Sequence, residues 1–111
     1  MTMGSGKYIL KGHEVVEVAD ILEWAQWYAS ADRHLARDQL GDVLVSTVFL
    51  GMDLSFGSGT PILFESMVFG GEHDEWQDRY CTWDEAAAGH ARIVAYLKAG
   101  CARKATQGNR T

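Results

Sequence analysis

The chain lacks any run of about 20 apolar residues, the length a helix needs to cross a bilayer. Its opening, MTMGSGKYIL, lacks the apolar core of a secretory signal. These absences predict a cytosolic protein with no membrane partner. Cysteine is scarce: Cys81 and Cys101 stand singly, without CxxC spacing, which predicts reduced thiols rather than a disulfide framework. Compositional extremes are missing too. Apolar residues make up 47% and charged residues 23% of 111 positions, which excludes a disordered or fibrous chain and suits one compact core. Acids are absent from the final segment. Through Glu85 the chain holds all fifteen acids beside five bases, Lys7, Lys11, Arg33, Arg37 and Arg79, a formal charge of −10. From Ala86 onward it holds only the bases Arg92, Lys98, Arg103, Lys104 and Arg110. Part of that split follows helix dipoles, which favour acids at N-termini and bases at C-termini. An acidic body repels a polyanion, so DNA and RNA are not expected partners.

What is present reads as an α+β domain. Residues 1–6 form a flexible leader, residues 7–99 the single domain and residues 100–111 a flexible basic tail. Tyr8 to Leu10 and Val15 to Val18 are β-prone runs around Lys-Gly-His, a hairpin pattern. Asp20, with Glu23 three residues on, opens a helix carrying Ile21, Trp24, Ala25 and Tyr28 at helical spacing, to about Ala31. The segment ADRHLARDQLGD adds a helical turn before Gly41-Asp42 breaks it. VLVSTVFL (Val43 to Leu50) and ILFESMVF (Ile62 to Phe69) are strands that pair antiparallel. A symmetric loop would set Thr47 opposite Glu65. A third strand covers Gln77 to Cys81. Thr82 and Glu85 make a capping box that opens a helix to about Ala99, with Ala87, Ala91, Val94 and Leu97 as its apolar stripe. The order ββαβββα predicts an antiparallel β-sheet with two helices. Both central strands are apolar on both faces. That predicts either a homo-oligomer burying the second face or helices on opposite faces of one sheet.

The usual catalytic signatures are missing. The histidines His13, His34, His73 and His90 are scattered, with no HExxH, so no metal is expected. The loop GMDLSFGSGT (Gly51 to Thr60) is rich in glycine, but it has no Walker lysine and no G-x-G-x-x-G helix start. A plain hairpin loop or a phosphate cradle remain open. Phe56 at its tip packs back, meets a partner or stacks on a ligand ring. Ser46, Ser55 and Ser58 lack a G-x-S-x-G setting. Glu65, a carboxylate inside an apolar strand, needs Thr47, an arginine or water as partner. It could serve as a general base, yet no nucleophile stands beside it. Arg33, Arg37 and Arg79 are either anion clamps or ion-pair partners of Asp32, Asp38 and Asp78.

Three strings together, ADRHLA (Ala31 to Ala36), STVFLGMDLSFGSGTPILFESMVFGG (Ser46 to Gly71) and RYCTWDEAAAGH (Arg79 to His90), resemble a group of short phage and prophage proteins. Within that group the chain is most similar to the phage Thoeris anti-defence sponge proteins, which capture cyclic ADP-ribose signals made by the bacterial Thoeris immune system. The resemblance implies a non-enzymatic homo-oligomer in the host cytoplasm, needing no cofactor, that sequesters a cyclic nucleotide at subunit contacts. It implies Arg33 and Arg79 as clamps on the two phosphates and Phe56 stacked on adenine. Asp53 either accepts from a ribose hydroxyl or caps its own loop. Members of that group often carry His after the loop aspartate and a Pro-Pro pair before the second strand, where this chain has Leu54 and Thr60-Pro61. The acidic body also fits an alternative, an inhibitor docking on the basic groove of a host defence protein such as a nuclease effector, in the manner of an anti-CRISPR.

Overall fold

The structure is a computed structural model that describes residues 5–55 and 59–108, with side chains as far as residue 100. Its two antiparallel sheets and two helices make it an α+β protein. Strands β1 (Tyr8–Lys11) and β2 (Glu14–Glu17) form a hairpin around Gly12, whose φ of 64° suits a two-residue turn. Helix α1 (Ile21–Ser30) starts at Asp20, whose carboxylate accepts from the Leu22 N–H at 2.9 Å.

The next segment corrects the sequence reading. His34–Leu40 is a strand, β3, not a helical turn. It pairs with β4 (Val43–Phe49) from Leu40↔Val43 onward. Gly41-Asp42 is therefore the two-residue turn of a hairpin, with Gly41 at φ 62°. β5 (Phe64–Phe69) and β6 (Gln77–Tyr80) complete a four-stranded sheet in the order β3-β4-β5-β6. The order is ββαββββα, one strand more than expected.

The β4–β5 register also differs by one residue. Phe49 faces Phe64 and Thr47 faces Ser66, while Glu65 faces Val48 and Arg79. Side chains alternate across a sheet, so this shift moves Glu65 to the opposite face from Thr47. Val45, Thr47, Phe49, Phe64, Ser66 and Val68 are buried on one face. Leu44, Ser46, Val48, Glu65 and Met67 are half-buried on the other.

Helix α2 (Trp83–Gly108) covers the first face. Its capping box forms as expected: the Glu85 N–H donates to Thr82 Oγ1 at 3.1 Å, and the Thr82 N–H donates to Glu85 Oε1 at 3.2 Å. The helix passes Ala99 because Ala, Arg, Lys and Gln in its last turns are good helix formers. Its buried stripe is Ala86, Gly89, His90, Ile93 and Leu97, one residue away from the expected Ala87, Ala91 and Val94. Both core clusters lie on this side. Phe49, Leu63, Phe64, Tyr80 and Ala86 form one, joined by Trp27, Trp83 and the β1–β2 hairpin. Val45, Val68, Ile93 and Leu97 form the other. Among the described residues no helix is long and apolar enough to cross a membrane.

Candidate functional site

Gly51, just past β4, is the centre of a patch built from cations and aromatic rings. Its carbonyl accepts two bonds, from the Tyr8 N–H at 2.9 Å and from the Trp24 indole at 3.0 Å. Its φ is 76°, and a Cβ placed on it would stand 3.1 Å from the Tyr28 ring. Backbone conformation and close approach both call for glycine here. Trp24 and Tyr28, one helical turn apart on α1, have ring centroids 4.7 Å apart. Lys7 Nζ lies 5.3 Å from the Trp24 ring centroid, and the Arg33 guanidinium carbon 4.1 Å from that of Tyr28. Both distances are within cation–π range. Among the described residues neither cation forms an ion pair. Arg33 gives one of its five N–H donors to the Phe49 carbonyl, at 3.2 Å. Asp32, its neighbour in sequence, turns instead to His34. The His34 backbone N–H, then its ring, hold the Asp32 carboxyl below its ordinary pKa.

Asp53 fastens the loop beside this patch. Its Oδ1 accepts from the Ser55 N–H at 2.7 Å and from the Ile62 N–H at 3.0 Å, and its own N–H reaches the Gly6 carbonyl. The loop-capping role is thus visible in its contacts. Phe56 lies outside the described residues.

Arg79 is elsewhere. On β6 its Nε donates to Glu65 Oε2 at 3.1 Å, and Gln77 Nε2 donates to the same oxygen at 2.8 Å. Glu65 has found an arginine, one of the partners its position in an apolar strand required. The Arg79 side chain stays 46% exposed. Arg33 precedes β3 and Arg79 sits on β6, the two edge strands. Three strand spacings, about 14 Å, separate them. One chain does not bring the two arginines together. Arg37 pairs across β3–β4 with Ser46 on the face away from α2.

The polar centre that sequence reasoning missed lies under α2. His90 Nε2 is 2.7 Å from Asp38 Oδ2, and His90 Nδ1 is 2.7 Å from Thr47 Oγ1, which is 2.5 Å from Ser66 Oγ. An ionised Asp38 only accepts, so Nε2 carries the ring proton. With a neutral ring, Thr47 donates to Nδ1 and Ser66 donates to Thr47. The acid, imidazole and hydroxyl resemble a nucleophile relay in composition. Thr47 and Ser66 are fully buried, however, and His90 is 5% exposed, so no substrate atom can reach either oxygen. The arrangement satisfies buried polar groups and fixes how α2 sits on β3, β4 and β5. One signal in the sequence pointed to it. His90 falls on the stripe with Ala86 and Ile93, and a buried imidazole needs partners.

Cys81 offers no activated thiol, because burial, followed by the nearby Glu85 and Asp53 charges, raises its pKa. Among the described residues no three His, Cys, Asp or Glu side chains gather as metal ligands. No family model, curated protein or solved structure matches this chain.

Proposed function

We propose that this chain is a non-enzymatic phage protein that sequesters a cyclic ADP-ribose-type nucleotide and so blunts bacterial immunity. The observation that supports it is the patch at Gly51, where Lys7 and Arg33 lie over Trp24 and Tyr28 and, among the described residues, neither forms an ion pair. In a protein of formal charge −5, unneutralised cations held on aromatic faces are the groups that a diphosphate attached to a purine calls for. Sequestration requires only binding and release of an unchanged ligand. The hydroxyls that could have acted as nucleophiles beside a histidine are sealed in the core.

A ligand that used both Arg33 and Arg79 would have to bridge two copies, since one chain holds them on opposite sheet edges. Assembly through those edges is disfavoured. β6 is four residues long and reads QDRY, while β3 carries Arg37 and Asp38 and a register shift between His34 and Ala36. Short length, charge and irregularity all discourage edge pairing. The sheet face away from α2, with Leu44, Val48, Met67 and the 44% exposed Phe69, is the surface a homo-oligomer would bury.

Titration calorimetry of the full chain with cyclic ADP-ribose isomers tests the reading. Saturable heat is expected, with chemically intact ligand recovered after acid release. Arg33→Ala should abolish the heat while leaving the thermal melt nearly unchanged. Arg79→Ala should abolish the heat with a lower melt, because it also takes the arginine from Glu65. Folded protein at micromolar concentration that gives no heat with any isomer removes the proposal. In that case, a salt-sensitive, stoichiometric host protein in pull-downs would support the docking inhibitor instead.

A further inference from the structure

A second feature lies at the other end of β4 from Gly51, about 20 Å away along the strand. There the β5–β6 loop, residues 70–76, meets Tyr96 of α2. The rings of His73, Trp76 and Tyr96 contact one another pairwise. Their centroids are 5.8 Å (His73 to Trp76), 5.4 Å (His73 to Tyr96) and 5.6 Å (Trp76 to Tyr96) apart, at interplanar angles of 57°, 71° and 83°. Trp76 is anchored against the Val45, Val68, Ile93 and Leu97 cluster, whereas Tyr96 is 49% exposed. The loop is held firmly. Asp74 Oδ1 accepts the Gly70 N–H at 2.6 Å, the Glu75 N–H reaches the Val68 carbonyl at 2.8 Å, and the Trp76 N–H reaches the His73 carbonyl at 3.0 Å. Gly70 and Gly71 press so closely on Asp42 and Val43 that a Cβ on either would lie within 2.7 Å of them. Glu75 is held at φ 72°, a left-handed conformation rare for a residue with a side chain.

Asp74 and Glu75, which stand between His73 and Trp76 in the loop, are exposed, and no lysine or arginine occurs between Ile62 and Asp78. Ring faces and carboxylates both attract cations. A planar guanidinium can lie on a ring while its fork reaches carboxylate oxygens, a geometry an ammonium lacks. Because the platform is already ordered, binding loses little loop entropy. We propose that this loop and Tyr96 form a docking site for an arginine side chain of a basic protein partner. The site shares no residue with the Gly51 patch, so either assignment can fail without the other.

The test uses the full chain, nitrogen-labelled, titrated with a short glycine–serine peptide carrying one arginine. The control peptide carries citrulline, which keeps the shape and removes the charge. The indole N–H resonance of Trp76, assigned with Trp76→Phe, is the readout. A saturable shift is expected with arginine and none with citrulline. Tyr96→Ala should weaken binding about tenfold and Tyr96→Phe should leave it unchanged. The exposed variant Glu75→Gln, which leaves the rings in place, should also weaken it. Equal shifts from both peptides, no movement of the Trp76 resonance, or unaltered binding by Tyr96→Ala and Glu75→Gln would each overturn the assignment.

Discussion

Alanine at Gly89 and at Gly100, both inside α2, should move stability in opposite directions. A glycine in a helix interior is less favourable than alanine by roughly 1 kcal/mol, mostly through backbone entropy. Among the described residues, apart from its chain neighbours and its own helix backbone, no atom lies within 4 Å of where a Cβ on Gly100 would stand, so Gly100→Ala should gain about that 1 kcal/mol. Gly89 has the same intrinsic gain available but faces Tyr80, whose ring carbons and hydroxyl occupy the space of a Cβ. Tyr80 is 8% exposed and belongs to the cluster with Phe64 and Ala86, so the ring cannot swing aside without opening that core. Overpacking of a dense core costs roughly 1–3 kcal/mol, which leaves Gly89→Ala with a net loss of up to about 2 kcal/mol. At about 4 °C per kcal/mol for a domain of this size, Gly100→Ala should melt a few degrees higher and Gly89→Ala several degrees lower than the parent. Circular dichroism melts of the three proteins read the signs directly. A Gly89→Ala protein as stable as the parent would mean that α2 does not rest on Tyr80, and the placement of His90 above Thr47 would fall with it.

The buried relay supplies a coupling test. Thr47→Val and His90→Phe should each destabilise by about 1–3 kcal/mol, since each leaves a buried partner unsatisfied. The double variant should lose less than the sum, and denaturant unfolding showing strict additivity would disconnect the two residues. Cys81 makes a prediction about pH. Its thiol pKa is raised, so the thiolate is scarcer than in a free cysteine at mildly alkaline pH and grows only as pH climbs further. In a Cys101→Ser background, iodoacetamide should therefore react more slowly with the folded protein than with the denatured one at pH of about 8.5, with the gap narrowing at higher pH. Equal rates across that range would contradict a partly buried thiol next to Glu85.

Strong local signals carried much of the fold. The capping box at Thr82 and Glu85, the Asp20 cap and the apolar runs of β4 and β5 all appear where the sequence put them. β3 was hidden for a physical reason. As an edge strand it is rich in exposed polar side chains, His34, Arg37, Asp38 and Gln39, so it shows little of the β-branched character that marks an interior strand. Its one legible mark was Gly41-Asp42, which serves a two-residue hairpin as well as it ends a helix. The α2 stripe was misplaced because its buried face includes Gly89 and His90. One is small enough to admit Tyr80 and the other polar, so a search for large apolar residues passes over both. Arg33 and Arg79 were legible as cations in need of partners. Sequence could not give which partners, because Glu65 lies 14 residues from Arg79 and becomes its neighbour only through the β5–β6 pairing.

That pairing and the β4–β5 register are set by energetics that the residues themselves contain. Had Thr47 faced Glu65, the carboxylate would have pointed under α2 among Val45, Phe49 and Ile93, where an unpaired charge is costly by several kcal/mol. Phe64 and Val68 would have moved to the open face, each losing roughly 1.5–3 kcal/mol of burial. Slipping one residue, to Phe49↔Phe64, reverses both penalties. It seats two hydroxyls side by side at Thr47 and Ser66, where His90 reaches them from α2, and turns Glu65 outward to meet Arg79 and Gln77. The polarity of Glu65 and the hydroxyls of Thr47 and Ser66 thus act as register markers on two otherwise apolar strands. The same slip gives the open face its mixed character. A wholly apolar face would invite unspecific association, whereas the Glu65 and Arg79 pair set among Val48 and Met67 allows a partner surface to dock only where it leaves those charges satisfied.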